Sequence, residues 1–371
     1  MIHILKKAGT FFRGQVVLTV SLIAALLSML FVWPDAEYAG YVDFPVLILL
    51  FCLMGVVAGF RKAGVFENLT QGLLRFASNA RVLGLILMNV CFFVSMFVTN
   101  DVALITFVPL TLMLYAHTGS MKNCIMTIIL QTAAANLGSM MTPIGNPQNL
   151  YLYTQFDLTM GDFFSALLPV GMASYILLTA ACFLITSEKM QLHETASVKL
   201  DWKKITVFGV LFVICLLTVL RVIPHALCLI LVCAGMLIQP KLFLHIDYPL
   251  LLTFVCFFVF VGNIGRIEPV RELLSSLMEG RELLVSAVVS QGISNVPAAV
   301  MLSAFTENVQ PLLQGVNIGG LGTPIASLAS LISYQLYAKS KGAENGRYMG
   351  CFLIVNVVLL VILLALTYLI F

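Results

Sequence analysis

An all-α polytopic membrane protein built as two inverted-topology repeats is the fold class this sequence predicts, and three observations predict it. First, 60% of the 371 residues are hydrophobic and only 10% are charged, with a mean hydropathy of +1.03. A soluble domain carries about 25% charged residues. Second, the stretch NLGSMMTPIGNPQNL at Asn136–Leu150 returns as NIGGLGTPIASLASL at Asn317–Leu331. Third, the basic residues sort to one side of a self-consistent topology.

A shift of 181 residues pairs Asn136 with Asn317, Gly138 with Gly319, Thr142 with Thr323, Pro143 with Pro324, Ile144 with Ile325, Leu150 with Leu331 and Tyr153 with Tyr334. Both copies lie in apolar surroundings yet are too rich in Gly, Pro, Asn, Ser and Thr to form an uninterrupted helix. A Gly/Pro-interrupted hydrophobic segment at matching places in two halves points to the binding site of a secondary transporter.

Taken in order, the N-terminus MIHILKKAGTFFRGQ is basic and leads into about twenty apolar residues, the length of one crossing. No small-x-small cleavage site follows Trp33 and Pro34, so a retained first helix at 14–33 is expected in preference to a signal peptide. The short loop after it carries Asp35, Glu37 and Asp43. A second helix, 44–60, ends in Arg61 and Lys62, and a polar stretch with Arg75 and Arg81 follows, expected to be amphipathic and interfacial.

From Val82 to His117 run 36 residues with one charge, Asp101. Two crossings need about twenty residues each plus a connection in water. A re-entrant hairpin at 82–117, with Thr99-Asn100-Asp101 at its tip, fits the length and the flanks, Arg81 and Lys122. A broken helix at 122–153 then crosses outward, and a helix at 162–186 returns. A cytoplasmic linker, 187–204, carries Lys189, Lys199, Lys203 and Lys204. Intervening helices fill 205–240, and a helix at 248–264 opens the second repeat. The run from Arg266 to Glu282 is read as a solvated charged loop. A second hairpin at 283–306 spans 24 residues around Ser294-Asn295-Val296, followed by a broken helix at 311–338 and a last helix at 348–370.

The expected division is therefore an N-terminal helix in 1–41, a first repeat in 42–186, the linker, and a second repeat in 247–371. It gives nine transmembrane helices and two hairpins, with the N-terminus in the cytoplasm and the C-terminus outside. Of the 20 Lys and Arg, only Arg221, Arg266, Arg271 and Arg281 then fall outside, as the positive-inside rule requires. The two repeats come out inverted. DFPVLILLFCLMGVVAGF from Asp43 also resembles DYPLLLTFVCFFVFVGNI from Asp247.

Non-helical backbone survives at membrane depth only where protein or a water cavity surrounds it. Hairpin tips and helix breaks are such places: opened carbonyls bind cations, and half-helix N-termini bind anions. The expected substrate ligands are Asn100, Thr142, Gly145, Asn146, Gln148, Asn149, Asn295, Asn317 and Thr323. The expected cation-binding or proton-carrying residues are Thr99, Asn100, Asp101, Asn136, Ser294, Asn295 and Gly319. Asp101 is the one acid placed deep in the membrane, where burial has to be offset by a partner. It holds Na⁺, carries a proton, or caps the return leg of its hairpin. The tip asparagines also serve as turn residues, and the glycines as sites of close helix packing. No organic cofactor and no transition metal is expected. The nine cysteines stand singly in apolar segments without CxxC spacing and read as packing residues.

The residues TNDVALITFVPL (99–110), NLGSMMTPIGNPQN (136–149), SNVPAAVMLS (294–303) and GVNIGGLGTPIASL (315–328) resemble the ion transporter superfamily. That group includes citrate-transporter-like permeases, divalent anion/sodium symporters and arsenite-efflux permeases. The resemblance covers about 43–370. It implies two re-entrant hairpins and two broken helices, with Ser/Thr-Asn-Thr tips that bind sodium and substrate carboxylate. Thr99-Asn100 and Ser294-Asn295 match those tips, while Asp101 and Val296 replace the third threonine. It also implies a homodimer with a scaffold part and a moving part, in a bacterial inner membrane.

The expected function is secondary active transport of a small di- or tricarboxylate-like anion, coupled to Na⁺ or H⁺ by alternating access. A Na⁺/H⁺ antiporter working through Asp101, and an efflux permease for arsenite or another oxyanion, are the alternatives. An intramembrane enzyme is excluded by the lack of HExxH and of GxGD, since Gly320-Leu321-Gly322 is followed by Thr323. The expected partners are lipid, the small anion and a second copy of the chain; no nucleic acid is expected.

Overall fold

A computed structural model describes residues 15–74, 76–116, 121–189 and 200–371. The basic stretch 1–14, whose expected side is the cytoplasm, lies outside the described residues. So do Arg75, His117 at the end of the first expected hairpin, and residues 190–199 of the linker.

The described chain is helical, with an isolated Asn79–Lys189 bridge as its sole β-pairing. In order come α1 Val16–Ser28, α2 Phe44–Lys62, α3 Val65–Leu74, α4 Ala80–Ser95, α5 Asn100–Ala116, α6 Met121–Ser139, α7 Pro147–Gln155 and α8 Met160–Ala181. After the linker follow α9 Trp202–Val219, α10 His225–Met236, α11 Tyr248–Gly265, α12 Glu268–Met278, α13 Glu282–Ile293, α14 Asn295–Leu302, α15 Val309–Ile318, α16 Leu328–Ala338 and α17 Asn345–Ile370. Among the described residues five spans are long and apolar enough to cross a membrane: α2, α8 extended to Leu184, α9, α11 and α17. This is an all-α membrane protein.

Helix starts are written in the sequence. Asp43 Oδ1 accepts the Val46 N–H and Asp247 Oδ1 the Leu250 N–H, both at 3.0 Å, so the repeated Asp-aromatic-Pro caps α2 and α11 alike. Asn79 caps α4 through the Val82 N–H, at 3.0 Å. Thr159 and Asp162 close a reciprocal capping box on α8. In α7 the Asn146 cap is followed by Pro147, whose missing N–H costs nothing in a first turn.

One expectation is corrected. The charged run after Arg266 is not a solvated loop, because Glu268–Met278 is a helix. Val270, Leu273, Leu274, Leu277 and Met278 fall at i, i+3, i+4, i+7 and i+8, which is the apolar stripe of an amphipathic helix. The dense charges between them hid that period.

The chain forms two compact units that are interleaved in sequence. One comprises residues up to Gly59, Val207–Arg281 and Ala299–Glu307; the other comprises Phe60–Thr206, Glu282–Ala298 and Asn308–Phe371. Each repeat contributes to both units. In the first unit α1 packs on α11 around Leu18, Ala25 and Cys256. There Asn263 donates to the Ser28 hydroxyl at 2.9 Å. Arg266, just after α11, reaches Asp35 at 2.8 Å and donates to the Tyr41 hydroxyl at 3.0 Å. That guanidinium holds the Asp35 carboxyl below its ordinary value. In the second unit α4 and α5 pack on α6, α16 packs on α5, and α13 packs on α15. All nine cysteines are free and seven are buried, as small packing side chains.

Candidate functional site

Every candidate residue lies in the second unit, at four interruptions of the helices. The chain is non-helical at 96–99 between α4 and α5, and at 140–146 between α6 and α7. It is interrupted at Ser294 between α13 and α14, and at 319–327 between α15 and α16. The first and third breaks correspond by a shift of 195 residues, the second and fourth by 181.

The two broken helices exchange hydrogen bonds across the repeat. Asn146 Nδ2 donates to Asn317 Oδ1 at 3.1 Å, and Asn317 Nδ2 donates to Asn149 Oδ1 at 2.6 Å. The counterparts of Asn146, Asn149 and Asn317 under the shift are Ser327, Ser330 and Asn136. Ser327 Oγ donates to Asn136 Oδ1 at 3.0 Å, and Asn136 Nδ2 reaches Ser330 Oγ at 3.4 Å. Residue i thus meets j while the mate of j meets the mate of i, the mark of a two-fold relation. Asn100, at the break between α4 and α5, joins in, its Nδ2 donating to Asn136 Oδ1 at 2.9 Å. Asn100, Asn136, Asn146, Asn149 and Asn317 are all at most 6% exposed.

The Thr-Pro threonines bind the neighbouring break of their own repeat. Thr142 Oγ1 donates to the Met96 carbonyl at the end of α4. Thr323 Oγ1 donates to the Gln291 carbonyl near the end of α13, at 3.0 Å. Met96 and Gln291 are themselves related by the 195-residue shift. Gln291 adds a tether that Met96 lacks: its Oε1 accepts the Thr323 N–H and its Nε2 donates to the Gly319 carbonyl, both at 2.9 Å. The sequence reading passed over Gln291, although an amide in an apolar leg three residues before the tip was a signal.

Glycines close the same joints. A Cβ on Gly138 would stand 2.1 Å from the Phe92 carbonyl oxygen, and one on Gly319 would stand 2.9 Å from Ala287 Cα. Phe92 and Ala287 are again 195 apart, so each repeat uses its glycine to bring its broken helix against the helix before its other break, α4 or α13. Gly145 spends its missing side chain on the Ser139 carbonyl, 2.1 Å from an ideal Cβ.

The remaining candidates differ in setting. Thr99 and Asp101 are half-buried, and the Asp101 N–H donates to Asn100 Oδ1 at 3.0 Å. Asn295 is buried, and its N–H donates to the Ala326 carbonyl at 2.9 Å, tying the α13–α14 break to the second broken helix. Ser294 holds a left-handed backbone at φ 75°, sparsely populated for a residue with a Cβ. Its hydroxyl and the side-chain oxygen of Gln148 are buried without a hydrogen-bond partner. A buried, unsatisfied polar atom costs about 1–3 kcal/mol, so each calls for an explanation, a bound water, ion or solute among them.

The electrostatics are plain. Among the described buried residues of the second unit there is no Lys, Arg or His, and the single charged side chain is Glu282, 5% exposed. The cluster is built from amides, hydroxyls and backbone carbonyls. It can coordinate a hard cation or hydrogen-bond an oxygen-rich solute, but it offers an anion no formal positive charge. Among the described residues no group of three or more His, Cys, Asp or Glu is placed to hold a metal ion.

A model of the family described as Citrate transporter matches residues 4–316. An uncharacterized transporter of Methanocaldococcus jannaschii is 30% identical over 347 residues, 92% of this chain and 94% of its own. The inner membrane protein YbiR of Escherichia coli is 31% identical over 309 residues, 82% of this chain and 81% of its own. A silicon efflux transporter of Oryza sativa subsp. japonica is 30% identical over 155 residues, 41% of this chain and 31% of its own.

Proposed function

We propose, because the chain belongs to the citrate transporter family, that this membrane transporter is a secondary active carrier. It moves a small di- or tricarboxylate-like anion by alternating access, coupled to Na⁺ or H⁺. The observation that carries this reading is the exchanged set of bonds joining Asn146 and Asn149 to Asn317, and Ser327 and Ser330 to Asn136. Two repeats meeting at interrupted helices is how carriers place a site that either side of the membrane can reach in turn.

In this reading the α4–α5 and α13–α14 pairs are re-entrant hairpins, and the repeats have inverted topology with nine crossings. Asn100, Thr142, Gly145, Asn146, Gln148, Asn149, Asn295, Asn317 and Thr323 surround the substrate. Na⁺ or a proton sits at the tips with Thr99, Asp101, Asn136, Ser294 and Gly319, and supplies the positive charge the cluster lacks. The second unit, which holds the whole cluster, carries the cargo as one body, and two copies of the chain associate in the cell's inner membrane. The absence of a buried cationic side chain among the described residues of the second unit favours, as a second reading, an inorganic oxyacid; the rice relative is named for silicon efflux.

Purified protein in proteoliposomes decides between these readings. Internal pH and solute uptake are followed under an imposed Na⁺ gradient, with citrate, succinate, malate or arsenite added in turn. Uphill uptake of one solute, lost in Asp101→Asn, is expected. A pH change driven by Na⁺ without any solute would make the protein an antiporter instead, and silence with every solute would sink the carrier reading.

A further inference from the structure

Three of the nine cysteines meet in the interior of the first unit, and they come from three helices. Cys215 in α9 and Cys228 in α10 set their sulfurs 3.8 Å apart, and Cys228 is also within hydrogen-bond reach of Cys52 in α2. All three are fully buried. Packing alone accounts for a thiol among carbon neighbours, such as Cys256 beside Leu18 and Ala25. It gives no reason for sulfur to stand against sulfur. A metal is not the reason either, since no group of three or more His, Cys, Asp or Glu among the described residues is placed to hold one.

The pair lies shallow in its unit. Cys215 is one turn before the end of α9 at Val219. Cys228 closes the first turn of α10, its N–H donating to the Pro224 carbonyl at 3.1 Å. Between the two helices runs a turn that carries Arg221, Val222 and Pro224 at the surface. His225 opens α10, half-buried, one turn above Cys228 on the same face and within electrostatic reach of it. The Thr218 hydroxyl is within hydrogen-bond reach of the Cys228 sulfur. A thiolate is the attacking form of cysteine, and helix N-termini and neighbouring imidazoles favour it. Cys228 has both.

We propose that Cys215 and Cys228 are a redox pair that hydrogen peroxide closes to a disulfide, with Cys228 as the attacking thiol. The Cys228 thiol proton passes to His225, and the thiolate attacks one peroxide oxygen. The O–O bond breaks, and the departing hydroxide takes the proton from His225 and leaves as water. Cys228 is then a sulfenic acid, which condenses with a thiol. The Cys215 sulfur attacks the Cys228 sulfur, and the displaced hydroxide leaves with the Cys215 proton as a second water. Two thiols give up two electrons in all, and one peroxide becomes two waters. Closing the sulfurs from 3.8 Å to a bond of about 2.05 Å is a movement of side-chain scale. The link staples α9 to α10 and encloses residues 216–227.

The test treats the full-length protein in native membranes with hydrogen peroxide. Remaining thiols are blocked with maleimide in denaturant, and the peptides are mapped by mass spectrometry. A link between the Cys215 and Cys228 peptides, two hydrogens lighter than the reduced pair and opened by dithiothreitol, is expected. Cys215→Ser should stop at a Cys228 sulfenic acid that dimedone captures, and Cys228→Ser should leave Cys215 a free thiol. The wild-type map decides even if neither variant folds. A link from Cys228 to Cys52, or maleimide on both Cys215 and Cys228 after peroxide, overturns the proposal. Equal oxidation of Cys91 and Cys124, which are also buried, overturns it too, because the chemistry would not then depend on the pair.

Discussion

The side-chain amide of Asn146 donates to Oδ1 of Asn317 at 3.1 Å, joining the first broken helix to the second across 171 residues of sequence. Its repeat mate, the Ser327–Asn136 bond, measures 3.0 Å. If the two bonds are separate joints of one interface, energies should couple within a joint and add between joints. Asn146→Ala and Asn317→Ala should each cost about 1–3 kcal/mol, because buried partners are left unpaired. Their double mutant should cost less than the sum, whereas Asn146→Ala with Ser327→Ala should be additive. Unfolding in mild detergent measures all three, and strict additivity of the Asn146/Asn317 pair would show that this bond contributes nothing.

Gly138 and Gly319 should behave unlike glycines elsewhere in the helices. Gly138→Ala drives a methyl to 2.1 Å from the Phe92 carbonyl oxygen, and the backbone there has no flexible end to yield. A loss near the top of the overpacking range, about 3 kcal/mol, is expected. Gly209→Ala in α9 and Gly350→Ala in α17 meet nothing within 4 Å and should gain up to about 1 kcal/mol from helix propensity. The same melting experiment separates the two classes, and a neutral Gly138→Ala would mean that α4 and α6 do not pack as closely as described.

What the sequence made legible is the internal repeat. Asn136, Gly138 and Thr142 match Asn317, Gly319 and Thr323 one for one, and all six turn out to occupy equivalent joints. Their partners were harder to see. Met96 and Gln291 both accept a threonine hydroxyl on the backbone carbonyl, but only Gln291 adds a side-chain amide, so no pattern of identities connects them. The hydroxyls of Thr142 and Thr323, expected substrate ligands, also bond the α4–α5 and α13–α14 breaks, a role no residue pattern marks. Helix α12 was missed because charge density drew attention away from a regular apolar period. The two compact units were invisible for a different reason: they are interleaved, so no boundary in the sequence marks them.

The α4–α5 and α13–α14 breaks are tethered unequally, and amide exchange should report it. Thr323→Val removes one bond to Gln291 but leaves the Gln291 side chain holding Gly319 and the Thr323 N–H. Thr142→Val removes the tether to Met96 outright, with no amide side chain at Met96 to replace it. Exchange around Met96–Asn100 should therefore accelerate more in Thr142→Val than exchange around Gln291–Asn295 does in Thr323→Val. Gln291→Leu, which also strands the Thr323 N–H, should loosen the second break further and cost about 1–3 kcal/mol. Equal protection in all three variants would assign the tips' rigidity to packing alone.

Asp43 and Asp247, which cap helices, and Asp35, which pairs with Arg266, should give the protein opposite pH responses. Asp43 and Asp247 both lie above the ordinary carboxylate value of 3.8, chiefly through burial, which the capping bonds to the Val46 and Leu250 N–H groups only partly offset. For an acid raised on folding, the folded state binds more protons, so its contribution to stability falls as pH climbs from 3.8 through the raised value. Asparagine caps equally well without the charge. Asp43→Asn and Asp247→Asn should therefore melt higher than the wild type at neutral pH, and the gain should vanish below pH 3.8. Asp35 is the reverse case, held below 3.8 mainly by its hydrogen bond to Arg266. Its contribution is present above 3.8 and is lost as pH falls through the depressed value, so Asp35→Asn should melt lower at neutral pH and match the wild type in acid. Melting temperature against pH for the three variants reads both signs at once. A uniform loss at neutral pH would mean that the charged carboxylates of Asp43 and Asp247 are stabilised by something other than their caps.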